Sequence, residues 1–165
     1  MRWITCPLTF VAALATAPTL ATESASPPKP SAAVSELPPA RGDDLVFRAL
    51  SHIGARYKRG GASPETGFDC SGFVRHVVKD VLGVALPRSA REMSRTGEAV
   101  QAVDLKPGDL VFYNTLRRAF SHVGIYLGEH RLVHAPATGG EVRVEDMRQA
   151  YWLKRFNGAR RLITQ

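Results

Sequence analysis

Residues 66–76 read TGFDCSGFVRH and place Cys70 between Asp69 and Ser71, where an apolar period of helical spacing begins. A thiol at a helix N-terminus has its thiolate favoured by the helix dipole, and a neighbouring imidazolium favours it further. Two histidines are placed to supply that partner. His122 opens HVGIYLG and His134 closes RLVH, two strand-like segments joined by a turn near Gly128. A hairpin there brings the imidazoles into one neighbourhood without fixing their register. A nucleophile, a base that takes its proton and a polar group that holds the base in one tautomer are the parts of covalent acyl transfer. Cys70, His122 and His134 have the chemistry for those roles.

Other fates of the same residues stay open at this level. An inert buried cysteine is one, although polar Asp69 and Ser71 and the small Gly72 argue against it. Satisfied core histidines are another. A zinc site is a third, since one thiolate and two imidazoles form a ligand set for that ion. The acyl-transfer reading expects Cys70 to ionise well below the free-thiol value of about 8.5. The Asp69 carboxylate opposes this, and it is expected to turn away from the sulfur toward backbone N–H groups or a substrate.

The elements that must position these side chains follow from periodicity. In DDLVFRALSHIGARY, Leu45, Val46, Ala49, Leu50 and Ile53 recur at helical spacing behind a cap at Asp43 or Asp44, which predicts an amphipathic helix. The cysteine's helix comes next, with Phe73, Val74, Val77, Val78, Val81 and Leu82 as its buried stripe and Gly83 as its stop. Beyond Leu86-Pro87, Ser89 and Glu92 have capping-box spacing and start a short third helix ending near Gly97. The period then changes to two. Residues 110–113 read as a strand after the Pro107-Gly108 turn. In HVGIYLG, Val123, Ile125 and Leu127 share one face, and His122, Gly124 and Tyr126 the other. Residues 131–135, 141–144 and 155–162 are further strands, with Pro136, Gly139-Gly140 and Asn157-Gly158 as dividers. Helices followed by an antiparallel sheet indicate an α+β domain with N-terminal helices packed on a central sheet. His52 and His76 fall on helical segments and His130 in a turn.

This domain occupies residues 43–165. Before it, Arg2 and the apolar stretch 8–20 are too short to span a bilayer and read as a secretory signal peptide, residues 1–21, cleaved after Ala21 and taking Cys6 with it. An uncleaved anchor is the alternative. Residues 22–42, rich in Pro, Ser and Ala, read as a tether. Cys70 then stands alone in an exported protein, bound for the periplasm or cell envelope, where an unpaired thiol indicates intermolecular pairing or a reactive group. The chain has 22 Lys and Arg against 15 Asp and Glu, a net charge of +7. These cations are scattered and no recognition motif accompanies them, which argues against nucleic acid as a partner. The charge suits electrostatic association with anionic envelope polymers, or simply a solvated surface. A monomer is expected.

Taken in order, the motifs resemble the NlpC-type cell-wall cysteine peptidases, compact relatives of papain. The resemblance runs from about Asp44 to Leu162. It rests on Gly54-Ala55-Arg56-Tyr57 with Gly60-Gly61, on Gly67-Phe68-Asp69-Cys70-Ser71-Gly72-Phe73-Val74 and on Leu86-Pro87-Arg88-Ser89. It continues through Pro107-Gly108-Asp109-Leu110-Val111-Phe112, Ser121-His122-Val123-Gly124-Ile125-Tyr126, Val133-His134-Ala135-Pro136 and the tail from Tyr151-Trp152 to Arg161. The resemblance implies a papain-like fold and cleavage of peptidoglycan stem peptides or cross-links. Cys70 would be the nucleophile, His122 the base and His134 the polar third member, with no metal or organic cofactor. It further implies that Tyr57 lies beside the nucleophile and helps hold the oxyanion, and that Asp69, Ser71 and Arg88 bind substrate. Plainer roles for these four are packing, helix capping and surface charge. A non-catalytic wall-binding module and an acyltransferase are the alternative functions on this scaffold. One departure is Arg59, which stands before the paired glycines where many relatives carry an aromatic residue; it is expected to alter the cleft wall.

Overall fold

The computed structural model describes residues 42–138 and 140–162. The signal peptide, nearly all of the tether and residues 163–165 lie outside them. Gly42, assigned above to the tether, is instead the first residue of helix α1 (Gly42–Leu50). Two short strands follow, β1 (Ala62–Ser63) and β2 (Gly67–Phe68), and lead into helix α2 (Cys70–Leu82). Next come α3 (Ala90–Met93), β3 (Glu98–Val100), β4 (Leu110–Tyr113), β5 (His122–Gly128), β6 (Arg131–His134), β7 (Arg143–Asp146), α4 (Ala150–Leu153) and β8 (Phe156–Arg161). Six strands form one antiparallel sheet in the order β3-β8-β4-β5-β6-β7. The α+β architecture expected from the change of period is the one observed.

Helix α2 is fixed at both ends by its sequence. Asp69 caps it, accepting from the Gly72 N–H at 2.7 Å, and Gly83 ends it in the left-handed conformation at φ 67°. Phe73, Val74, Val77 and Val78 are fully buried against Leu45 and Ala49 of α1 and against Val123 and Ile125 of β5. Burying each such side chain is worth about 1.5–3 kcal/mol, which locks the cysteine end of α2 onto the sheet. Gly72 is needed at this junction, because a Cβ there would overlap the carbonyl oxygen of Gly61.

Several expected features shift. Helix α1 stops at Leu50 and continues as turns, so Leu50 and Ile53 are exposed and the buried stripe narrows to Leu45 and Ala49. His52 accordingly lies in a turn. Helix α3 is a single turn, although the Ser89–Glu92 capping box that starts it is present. Strand β7 begins at Arg143, two residues later than expected. Asn157-Gly158 divides nothing: it lies inside β8, where the register against β4 shifts between Phe112 and Tyr113. Strand β3 and helix α4 carry too short a period to be read from sequence.

The sheet separates two apolar clusters. The larger lies under α1 and α2; the smaller, on the other face, gathers Val111, Tyr113, Tyr126, Leu132, Ala159 and Trp152. Alternation along β5 divides its residues between the clusters as the sequence period predicts, with Val123 and Ile125 in one and Tyr126 in the other. Asp109 is almost wholly buried and accepts from Arg161 Nε at 2.8 Å and Nη2 at 2.7 Å, tying β8 to the turn that opens β4.

Candidate active site

Cys70 is the first residue of α2 and is partly buried. The backbone N–H groups of Val123, Ser71 and Cys70 itself bear on its sulfur, so the helix N-terminus and the start of β5 converge there. On one side of the thiol stands a polar network. Asp69 Oδ2 accepts from Arg88 Nη2 at 2.5 Å and from the Gly60 N–H at 3.0 Å. Its Oδ1 accepts from Ser71 Oγ at 3.1 Å, and Arg88 Nη1 donates to Ser71 Oγ at 2.7 Å. Asp69, Ser71 and Arg88 are thus one assembly. The Asp69 carboxylate engages backbone N–H groups, as expected, and Arg88 as well.

The other side is built from the sheet. In the β5–β6 register Ile125 faces Val133 and Tyr126 faces Leu132, which leaves Gly124 beside His134. A Cβ on Gly124 would sit 3.1 Å from His134 Cβ and 2.8 Å from the Val133 carbonyl oxygen, so glycine lets the second imidazole approach. His122 Nε2 and His134 Nδ1 lie 2.8 Å apart in a buried hydrogen bond. Two nitrogens directed at each other are a bonded pair, not two donors converging on a metal ion, and this geometry argues against the zinc alternative. Trp152 packs on both rings, stacked on His122 and edge-on to His134. His134 Nε2 lies 3.4 Å from Glu145 Oε1.

The electrostatics of the two flanks differ. Burial pushes the Asp69 carboxyl up, but the hydrogen bonds from Arg88 and Gly72 outweigh it and hold the group below its ordinary value. Burial lowers His122 to about 3, with His134 adding to the effect and Glu145 opposing it. His134 is lowered likewise, by burial and then by Arg143. The thiol corrects the expectation of a depressed pKa. Burial raises Cys70 and the Asp69 carboxylate raises it further, against the pull of the backbone N–H groups. Burial thus disfavours both the thiolate and the imidazolium, since each ion loses solvation there.

Cys70 and Tyr57 line two adjoining clefts. One, of about 400 Å³, is walled by His122, His134, Arg143, Glu145, Tyr151 and Trp152. The other, of about 760 Å³, is walled by Arg59, Asp69, Ser71, Arg88, Arg91 and Arg118. Tyr57 accordingly stands beside the thiol, and burial followed by the proximity of Cys70 and Asp69 raises its phenol. Arg59 lines the cleft wall. A substrate chain crossing the thiol would have room on both sides of the reacting carbon.

Every site residue expected from sequence falls in or beside these clefts. His52 and His76 instead pair with each other, ring centroids 4.9 Å apart, beside Phe68. The residues that sequence reasoning missed as parts of the site are Arg143, Glu145 and Trp152. Arg143 and Glu145 lie two apart on β7 and share one face, and Glu145 falls beyond the strand that was expected to end at residue 144.

The chain belongs to the NlpC/P60 family, whose model matches residues 54–161. Among similar proteins is the murein DD-endopeptidase MepH of Escherichia coli, 40% identical over 120 residues that cover 71% of this chain and 44% of that one. Another is the gamma-DL-glutamyl hydrolase of Bacillus subtilis, 40% identical over 125 residues that cover 74% of this chain and 30% of that one. The chain thus spans less than half the length of either relative. Among solved structures, an NlpC/P60 family protein from Bacillus cereus superposes with a TM-score of 0.71 at 31% identity, covering 77% of this chain and 42% of that one.

Proposed function

We propose that this domain is a peptidoglycan endopeptidase that hydrolyses amide bonds of stem peptides or cross-links through Cys70. The observation that carries this reading is the buried His122–His134 hydrogen bond in the same cleft as the Cys70 thiol at a helix N-terminus, a cleft open on both sides. The name of MepH, a murein DD-endopeptidase, supplies the substrate class.

In the first step Cys70 sulfur attacks the peptide carbonyl carbon while its proton passes to His122, the general base. Because burial disfavours both ions, this transfer accompanies attack and does not precede it. The oxyanion is held by the Cys70 backbone N–H and the Tyr57 hydroxyl. The C–N bond then breaks, and protonated His122 gives its proton to the leaving amine. Water, deprotonated by His122, attacks the thioester; the C–S bond breaks and the proton returns to sulfur. His134 holds the His122 ring in one tautomer. Asp69, Ser71 and Arg88 bind the charged groups of the stem peptide on the polar side. The signal-like N-terminus supports export, and the net charge of +7 suits action at the envelope near anionic polymers; the domain acts as a monomer.

The test is digestion of purified sacculi by the wild type and by Cys70→Ala, with mass spectrometry of the released muropeptides. The wild type is expected to release new termini within stems or at cross-links, and Cys70→Ala none. Equal digestion by the variant would end the proposal. The product masses separate a cross-link cleavage, as in the name of MepH, from a γ-glutamyl cleavage.

A further inference from the structure

Behind His134 lies a carboxylate that the catalytic scheme above does not use. His134 is fully buried, and its Nε2 has no close hydrogen-bond partner among the described residues. Glu145 Oε1 lies 3.4 Å from it. Glu145 is itself pinned from two directions: Arg143 Nε donates to Oε1 at 2.6 Å and Trp152 Nε1 donates to Oε2 at 2.7 Å. Two donors with no acceptor role, one of them cationic, mark Glu145 as an ionised carboxylate that can only accept. We infer that Glu145 is a positioning residue that sets the tautomers of both histidines, keeping the His134 proton on Nε2 and thereby leaving His122 Nδ1 bare to take the thiol proton.

Each buried donor in this cluster needs an acceptor. A buried lone pair of His134 Nε2 facing a carboxylate oxygen would leave two acceptors opposed with no proton between them, which is costly in a site closed to water. With the proton on Nε2, His134 Nδ1 is an acceptor. His122 must then donate through Nε2–H across the 2.8 Å contact. That leaves Nδ1 as the only basic nitrogen of His122. The reverse arrangement puts a proton on His122 Nδ1, where it cannot serve as a base. When attack produces an imidazolium, the Glu145 charge also stabilises it, in the direction already seen at His122. Arg143, also on β7, opposes this by lowering His134. Cys70 at the start of α2, Tyr57 and Tyr151 are the other titratable groups lining this part of the cleft. Trp152 supplies a donor and two ring contacts but no charge.

The inference rests on His122 as the base, and its test is chosen to fail separately. Nitrogen-15 NMR of the histidine rings in the wild type at neutral pH should find protons on Nε2 of both His122 and His134, with both Nδ1 atoms bare. A proton on His134 Nδ1 would overturn the inference whatever the variants do. In Glu145→Gln, kcat on a soluble cross-linked muropeptide should fall about 10- to 100-fold with KM nearly unchanged, by analogy with other outer-shell partners of histidine. The acidic limb of kcat/KM should also move to lower pH, because the charge that favoured imidazolium is gone. A purely structural role would leave that limb in place. Full activity and an unmoved limb in Glu145→Gln, beside an inactive Cys70→Ala, would remove Glu145 from the mechanism and leave the peptidase reading intact. An active Cys70→Ala would remove the peptidase reading, while the ring tautomers would still decide the role of Glu145.

Discussion

The two flanks of Cys70 solve opposite electrostatic problems. On the Asp69 side, charges are kept and each is matched: Asp69 remains ionised because Arg88, Ser71 and two backbone N–H groups surround it. On the His122 side, burial under Trp152 and within the sheet disfavours charge on both imidazoles, while the Arg143–Glu145 ion pair stands behind them. A hydrogen-bonded carboxylate holds substrate well because its charge is fixed. A buried imidazole suits a base because it must gain and lose a proton within each turnover. The thiol lies between them and inherits the penalty of both, burial from one side and the Asp69 charge from the other.

Removing a member of each flank should separate their roles. On the neutral flank, His122→Ala is expected to lower kcat about 1,000-fold, since a general base typically contributes 10²–10⁴. His134→Ala should lower it about 10- to 100-fold, because a positioning group can be partly replaced by water. Single-turnover kinetics on a defined muropeptide measure both, and the reverse order would exchange their assignments. On the charged flank, Arg88→Ala should act mainly on KM, raising it about tenfold, as expected for the loss of a charge-assisted contact to a substrate carboxylate. Its cost in stability should stay under about 1 kcal/mol by chemical denaturation, because Arg88 is 43% exposed and the Asp69–Gly72 cap is retained. A larger effect of Arg88→Ala on kcat than on KM would show that the flanks are not separate in function.

Most of this arrangement was legible where local chemistry alone decides it. Asp69 as cap, Gly83 as stop, the Ser89–Glu92 box and the alternation of HVGIYLG depend on neighbours in the chain, and each is found where the spacing puts it. The proximity of His122 to His134 was readable as a neighbourhood, but their direct bond depends on the β5–β6 register and on Gly124, which periodicity cannot fix. Glu145 escaped because its strand runs two residues past the expected end at 144, so a residue placed beyond the strand proves to face the site. The thiol was misjudged for a different reason. The helix N-terminus favouring its anion is a local feature, whereas the burial and the ionised Asp69 that outweigh it are properties of the assembled cleft.

The central claim is that Cys70 and His122 rest as a neutral pair and exchange their proton only as bond formation begins. The most direct measurement is the rate of iodoacetamide alkylation of Cys70 as a function of pH in the substrate-free protein. A neutral pair predicts that the rate rises with a single midpoint at or above the ordinary thiol value of about 8.5, and that His122→Ala leaves this midpoint nearly unchanged. A fast plateau persisting into mildly acidic pH in the wild type and lost in His122→Ala would establish a preformed thiolate–imidazolium pair and contradict the account.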